Sequence, residues 1–290
     1  MSSEKITVSV LSVAAALFLT IIKLVVGYET NSLGILSEAL HSGLDVVAAV
    51  ITLAAVHISD KPADREHHYG HGKVENFSAL IEAVLLLLTC SWIIYEAIYR
   101  LTHPAIHVEV TIWSYAVVLL AIGVDITRSI SLRRVAKKYN SQALEADALH
   151  FSSDILSSGV VLAGLIGAEL GWFVTDSIAG LLVAIIVIVI SFQLAKRAVD
   201  SLLDKAPREV EMQIKEVLKH NHDITGYHDL QVRSSGGDVF VDVCIHVPPE
   251  ESILVAHNTA DSLEKEISES VRFKVHTTIH IEPEGHNIIK

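Results

Sequence analysis

Cysteine is nearly absent from this 290-residue chain, which has only Cys90 and Cys244. One falls in an apolar run and the other in a polar stretch, so the pair builds no disulfide framework and both read as reduced thiols. Charge is scarce too. Asp, Glu, Lys and Arg make up 19% of the residues, against about 25% in an ordinary soluble domain. With 51% hydrophobic residues and a mean hydropathy of +0.46, a wholly soluble protein is excluded. Basic residues are the scarcer sign, 22 against 34 acidic for a net charge of -12. That argues against nucleic acid as a partner, because phosphate binding needs clustered Lys and Arg. No His-Glu-x-x-His stretch occurs, which removes the zinc-protease arrangement of two helical ligands and a glutamate base.

Long apolar runs, in contrast, are plentiful. A helix needs about 20 mostly apolar residues to cross the hydrocarbon core. Six segments qualify: Ile6 to Tyr28, Leu33 to Ile58, Phe77 to Leu101, Ile112 to Ile130, Ala148 to Leu170, and Phe173 to Ala195. The first is too long for the apolar region of a signal peptide and lacks a cleavage site, so it reads as a mature span. Basic residues cluster after spans two, four and six: Lys61, Arg65 and Lys73; Arg133, Arg134, Lys137 and Lys138; Lys196, Arg197, Lys205 and Arg208. The connections after spans one and five carry none. By the positive-inside rule both termini are expected in the cytoplasm, with Arg100 after span three as a single dissenting charge.

The composition changes near residue 205, which suggests a membrane domain over 1–205 and a polar domain over 206–290. The tail holds 8 basic and 15 acidic residues. Glu209 to His220 has helical spacing of Val210, Ile214, Val217 and Leu218, and Ser252 to Ser268 reads as a second helix. Asp238 to Val247 alternates strictly, with Val239, Val241, Val243, Ile245 and Val247 on one face. Ser234 to Gly237 is a turn between two strands, and Phe273 to Ile281 reads as a third strand. The order is helix, strand, strand, helix, strand, an α+β fold appended to an all-α membrane domain.

Span two carries His41 and Asp45, and span five carries His150 and Asp154. An ionised Asp at the middle of a bilayer costs roughly 2.5 to 3.5 kcal/mol on insertion scales, so two of them need a compensating partner. Residues i and i+4 share a helical face, so each pair aims an imidazole and a carboxylate in one direction. The local sequence repeats as Ala-Leu-His-x-x-x-Asp at 39–45 and again at 148–154. Two such helices face to face would present two nitrogens and two oxygens, which suits tetrahedral Zn²⁺ and, less exclusively, Co²⁺ or Fe²⁺. A single pair would read equally well as a buried polar contact between helices; the duplication favours metal. Glu38, one turn before His41, is placed to face the same cavity, while Glu82 and Asp125 are further intramembrane acids without an evident partner.

These paired motifs, the stretch Asp-Arg-Glu-His-His-Tyr-Gly-His-Gly-Lys at 64–73 and the six-span-plus-tail layout together resemble the cation diffusion facilitator family, close to its bacterial and archaeal zinc exporters. The resemblance implies a homodimeric, proton-coupled exporter of divalent metal in the cell (inner) membrane, with a ferredoxin-like, metallochaperone-like cytoplasmic domain. It implies a transport site at His41, Asp45, His150 and Asp154. Some relatives have Asp at the first position; His41 resembles the two-His, two-Asp set of zinc-selective members. Asp64, His67 and His71 match the family's loop site, with His68 an additional imidazole beside it. His228, His246, His257, His280 and Glu282 match its cytoplasmic metal positions, where Glu282 replaces a common Asp. Lys73 and Asp204 match the charged pair that interlocks the membrane and cytoplasmic parts across the dimer. The long His-rich loop of many eukaryotic relatives, between spans four and five, is missing.

The expected function is therefore secondary active transport rather than enzymatic catalysis, with Zn²⁺ as transported substrate and regulatory ligand of the tail. Ligands must lose protons to hold metal, so release is naturally exchanged for proton uptake. His41 and His150 are the expected carriers because the reference imidazole pKa is about 6.5. Export of Fe²⁺, Cd²⁺, Co²⁺ or Mn²⁺ by the same route is the alternative. A membrane metal sensor is a third reading, and it leaves the acids within two spans unexplained.

Overall fold

The computed structural model describes residues 3–29, 33–102, 112–169 and 173–285. Six long helices come first: α1 (Ser3–Glu29), α2 (Leu33–Ser59), α3 (Lys73–Thr102), α4 (Ile112–Tyr139), α5 (Gln142–Glu169) and α6 (Phe173–Leu202). Among the described residues, every one of these helices except α5 contains a stretch long and apolar enough to cross a membrane. α5 carries Glu145, Asp147 and Asp154 in its first half and packs against α2, α3, α4 and α6; Asp147 and Asp154 are buried against these neighbours, whereas Glu145 is partly exposed and pairs with Arg197 of α6. The basic-poor connections after α1 and α5 fall largely outside the described residues.

The helical part is apolar outside and polar inside. Leu11, Phe18, Leu44, Leu88, Trp92, Leu182 and Ile186 are exposed, whereas Lys23, Asp45, Glu82, Asp125, Arg128, Asp147, His150 and Asp154 are buried. A chain in water would not leave so large an apolar surface uncovered. Alanines such as Ala48, Ala79, Ala83, Ala146 and Ala184 lie at or near zero exposure and let the helices approach closely.

Four helices are longer than their apolar runs. α3 starts at Lys73, α4 continues to Tyr139, α5 begins at Gln142 and α6 runs to Leu202. Their polar ends are held by specific contacts instead of by lipid. Lys5 Nζ lies 2.8 Å from Asp60 and 2.7 Å from Glu75, and Glu75 also accepts hydrogen bonds from Ser59 and Ser141, tying α1, α2, α3 and α5 together. The ends of α4 and α6 close through Asn140 (φ 51°) and Asp204 (φ 58°), with Ser141 N–H donating to Ala136 O and Lys205 N–H to Asp200 O. This left-handed cap usually takes glycine, and Asn or Asp are the side chains that tolerate it.

The tail consists of α7 (Arg208–His220), β1 (Gly226–Ser235), β2 (Asp238–Val247), α8 (Ile253–Ser270) and β3 (Lys274–Pro283). β1 and β2 pair antiparallel across a two-residue turn, while β2 and β3 pair parallel; a parallel pair needs a crossover, which α8 supplies. Val239, Val241, Val243, Ile245 and Val247 form one core with Val210, Ile214 and Leu218 of α7 and Leu263 and Ile267 of α8. Each such side chain contributes about 1.5 to 3 kcal/mol by leaving water.

The hairpin turn rests against the α2–α3 loop. An added Cβ on Gly72 would lie 2.5 Å from Ser235 O, and one on Gly236 would lie 3.0 Å from Gly72 Cα. The Arg233 guanidinium stands 4.1 Å over the Tyr69 ring, and Tyr69 meets Phe240 edge to face at 5.3 Å.

Candidate metal centres

Within the membrane part, α2 and α5 bring Asp45, His150 and Asp154 together. His150 Nε2 lies 3.1 Å from Asp45 Oδ1 and 3.6 Å from Asp154 Oδ2. One ligand atom from each residue falls within 4.8 Å of the others, and all three are buried. His41 occupies α2 one turn before Asp45; its side chain lies outside the described residues, as does that of Glu38. The i,i+4 spacing on α5 puts His150 and Asp154 on one face, and the contact of α5 with α2 delivers Asp45 to it.

A polar shell surrounds this cluster. Arg128 on α4 donates to Asp125 at 3.2 Å and to Ser12 at 3.1 Å, and its guanidinium lies 3.4 Å from the centre of the Phe151 ring. Ser12 donates to Asp147 at 3.1 Å, Thr52 donates to Glu82, and Lys23 donates to Ser42 at 2.8 Å. The single acids of the sequence thus acquire partners: Arg128 for Asp125 and Thr52 for Glu82. Arg128 was detectable as the i+3 neighbour of Asp125 on a helix. Asp147, a further buried acid three residues before His150, carried no comparable signal.

The α2–α3 loop brings Asp64, His67 and His71 into a second cluster. Asp64 lies 3.3 Å from His67 Nδ1 and 3.5 Å from His71 Nε2, with the two rings 4.4 Å apart. Backbone N–H groups of His67 and Glu66 donate to Asp64 Oδ1 and lower its pKa by stabilising the charged carboxylate. His68 instead bonds the Arg65 carbonyl at 3.1 Å. Lys73 Nζ lies 2.9 Å from Asp204 Oδ1 within one chain; both are partly exposed, so the pair contributes at most about 1 kcal/mol.

The tail cluster comprises His228, Cys244, His246 and Glu282. His228 is opposite Cys244 on the β1–β2 ladder and Glu282 is opposite His246 on β2–β3, so all four share the sheet face away from the valines. A bulge after His228, with Asp229 at φ 50°, resets the register so that His228 meets this face while Val232 still enters the core. His228 Nε2 and His246 Nε2 each lie 3.9 Å from Glu282 Oε2. His280 lies 3.5 Å from Glu282 Oε1, at the exposed edge. His257 is not brought to this cluster: it sits on α8, exposed, 3.5 Å from Asp261. Burial and the adjacent Glu282 charge push the Cys244 thiol up to about 11. Strand parity alone places Cys244 on the same face as His246.

The model of the cation efflux transmembrane domain matches residues 9–203, and that of the cation efflux protein cytoplasmic domain matches 206–284. The chain belongs to the cation diffusion facilitator family. This facilitator is 32% identical to the uncharacterised transporter MJ0449 of Methanocaldococcus jannaschii over 86% of its own length and 88% of the relative's. It is 30% identical to the cation-efflux pump FieF of Shewanella oneidensis over 87% of this chain and 85% of that one. Among solved structures, the MamB magnetosome C-terminal domain of Desulfamplus magnetovallimortis aligns with 28% of the chain and 99% of that domain, at 18% identity and a TM-score of 0.26. The facilitator is thus a multi-pass membrane transporter for cation efflux.

Proposed function

We propose that this transporter is a homodimeric, proton-coupled antiporter that moves divalent metal, Zn²⁺ foremost, out of the cytoplasm. In this reading residues 1–205 span the cell (inner) membrane, and 206–290 form a metal-binding, dimerising domain on the cytoplasmic side with both termini. The observation that carries the proposal is the buried convergence of Asp45, His150 and Asp154 from two helices. With His41 as fourth ligand the donor set is two nitrogens and two oxygens, which favours tetrahedral Zn²⁺ over Mn²⁺ or Fe²⁺ with their preference for higher coordination and harder donors.

Two carboxylates and two neutral imidazoles carry a charge of about -2, which a dication cancels. Emptying the site on the outer side leaves that charge in a low-dielectric interior unless protons replace the metal. His41 and His150 are the proposed proton carriers, since imidazole exchanges protons near neutral pH. Asp64, His67 and His71 form an accessory loop site. His228, His246 and Glu282, with His257 and His280 in the assembled dimer, form a regulatory one. Lys73 and Asp204 join the two parts.

The test is metal uptake into sealed vesicles containing purified protein, with Zn²⁺, Fe²⁺, Co²⁺, Cd²⁺ and Mn²⁺ in competition. Zn²⁺ should move fastest and be slowed least by equimolar Mn²⁺. A preference for Mn²⁺ or Fe²⁺ would overturn the zinc reading, and no metal flux at all would overturn transport through this site.

A further inference from the structure

We propose that Cys244 is itself a metal ligand, completing with His228, His246 and Glu282 a thiolate, two-imidazole and carboxylate site held by one chain. The inference rests on the tail being metal-binding, and it changes what that site selects.

Four observations carry it. One donor atom from each residue lies within 4.8 Å of the other three. A tetrahedral dication with bonds of about 2.0 to 2.3 Å holds its ligand atoms about 3.3 to 3.8 Å apart, and the 3.9 Å separations between Glu282 and the two imidazoles close to that with shifts of tenths of an ångström. Those separations are too long for hydrogen bonds, and His228 Nδ1, His246 Nε2 and Glu282 Oε2 are buried polar atoms without a hydrogen-bond partner. Buried polar groups are otherwise almost always satisfied. Finally, Cys244 is 6% exposed on the sheet face opposite the valines, with His228 and Glu282 from the neighbouring strands and His246 from its own around it. The His228 and His246 ring centres are 4.9 Å apart.

On loading, the Cys244 S–H bond breaks, a sulfur–metal bond forms and the proton leaves to solvent. A thiolate among imidazoles selects Zn²⁺, Co²⁺ and Cd²⁺ and disfavours Mn²⁺ and Mg²⁺, which prefer oxygen. The tail therefore discriminates among metals by softness more sharply than the transport site, whose two nitrogens and two oxygens include no sulfur. The set is also complete within one chain, so it loads without a residue from a second copy.

Cobalt titration of the full-length protein in detergent tests this, with Co²⁺ alone as the probe. Binding should produce the near-ultraviolet charge-transfer band of a cobalt thiolate, and Zn²⁺ should displace it. Cys244→Ser should remove the band and weaken tail binding at least about tenfold, while Cys90→Ser, in α3, should leave both unchanged. His246→Ala identifies the tail's share of bound cobalt, and Cys244→Ala serves as a second variant should the serine form fold poorly. If His246→Ala lowers the bound cobalt but wild type shows no thiolate band, the Cys244 assignment is wrong and the tail site stands. If His246→Ala leaves the bound cobalt unchanged, the tail reading fails and takes this inference with it. A thiolate band that survives in Cys244→Ser also overturns the assignment.

Discussion

Replacing Asp154 with Asn keeps the shape of the side chain and removes one charge from the site between α2 and α5. Two electrostatic effects oppose each other. The amide relieves repulsion between the Asp45 and Asp154 carboxylates, whose ligand atoms lie within 4.8 Å; at an effective dielectric of about 20 that repulsion is about 3.5 kcal/mol. It also removes the attraction of a carboxylate for a dication, about 8 kcal/mol at about 4 Å in the same medium and larger at bonding distance. The repulsion is present with and without metal, so the lost attraction governs binding, and desolvation of the ligands offsets much of it. Four-ligand zinc sites bind with about 10 to 16 kcal/mol, or about 3 kcal/mol per ligand, and every 1.4 kcal/mol is about a factor of ten. Zinc flux through Asp154→Asn should therefore fall by about two to three orders of magnitude at limiting zinc. The assay is zinc entry into vesicles reported by a trapped fluorescent chelator, with size-exclusion chromatography to establish that the variant folds and assembles as wild type does. A folded variant transporting within threefold of wild type would refute Asp154 as a ligand.

Gly72→Ala should detach the hairpin turn from the α2–α3 loop, because the new Cβ meets the Ser235 carbonyl at 2.5 Å and backbone cannot rotate away. Limited proteolysis between Leu203 and Pro207 should become faster, and unchanged cleavage would count against this junction. Arg128→Met should destabilise the membrane part by about 3 to 5 kcal/mol by leaving buried acids without their counterion, read as a lower melting temperature in detergent. Adding Asp125→Asn should recover part of that loss, and a double variant no more stable than the single one would contradict the Arg128–Asp125 pairing.

Period and repetition were legible in the sequence. The valine alternation of β2 and the spacing along α7 mark which faces enter the tail core, and the repeated Ala-Leu-His-x-x-x-Asp marks α2 and α5 as partners. Helix ends were less legible, since hydropathy registers only the lipid-facing run; Lys73, Tyr139 and Gln142 lie in helical ends held by ion pairs and caps. β1 resisted a periodic reading because the bulge at Asp229 breaks its alternation between His228 and Val232. Cys244 looked isolated because its proximity to His228 follows from strand register. The Thr52–Glu82 contact likewise joins different helices, and sequence spacing carries no record of that.

Proton movement during zinc transport decides the central claim most directly. In vesicles holding a trapped pH-sensitive dye, with voltage clamped, an imposed zinc gradient should drive protons in the opposite direction to zinc. Collapsing an opposing proton gradient with a protonophore should slow the flux, because the empty site can no longer exchange its metal charge for protons. Zinc crossing at full rate with no proton movement would contradict antiport, whatever the ligands of the metal site prove to be.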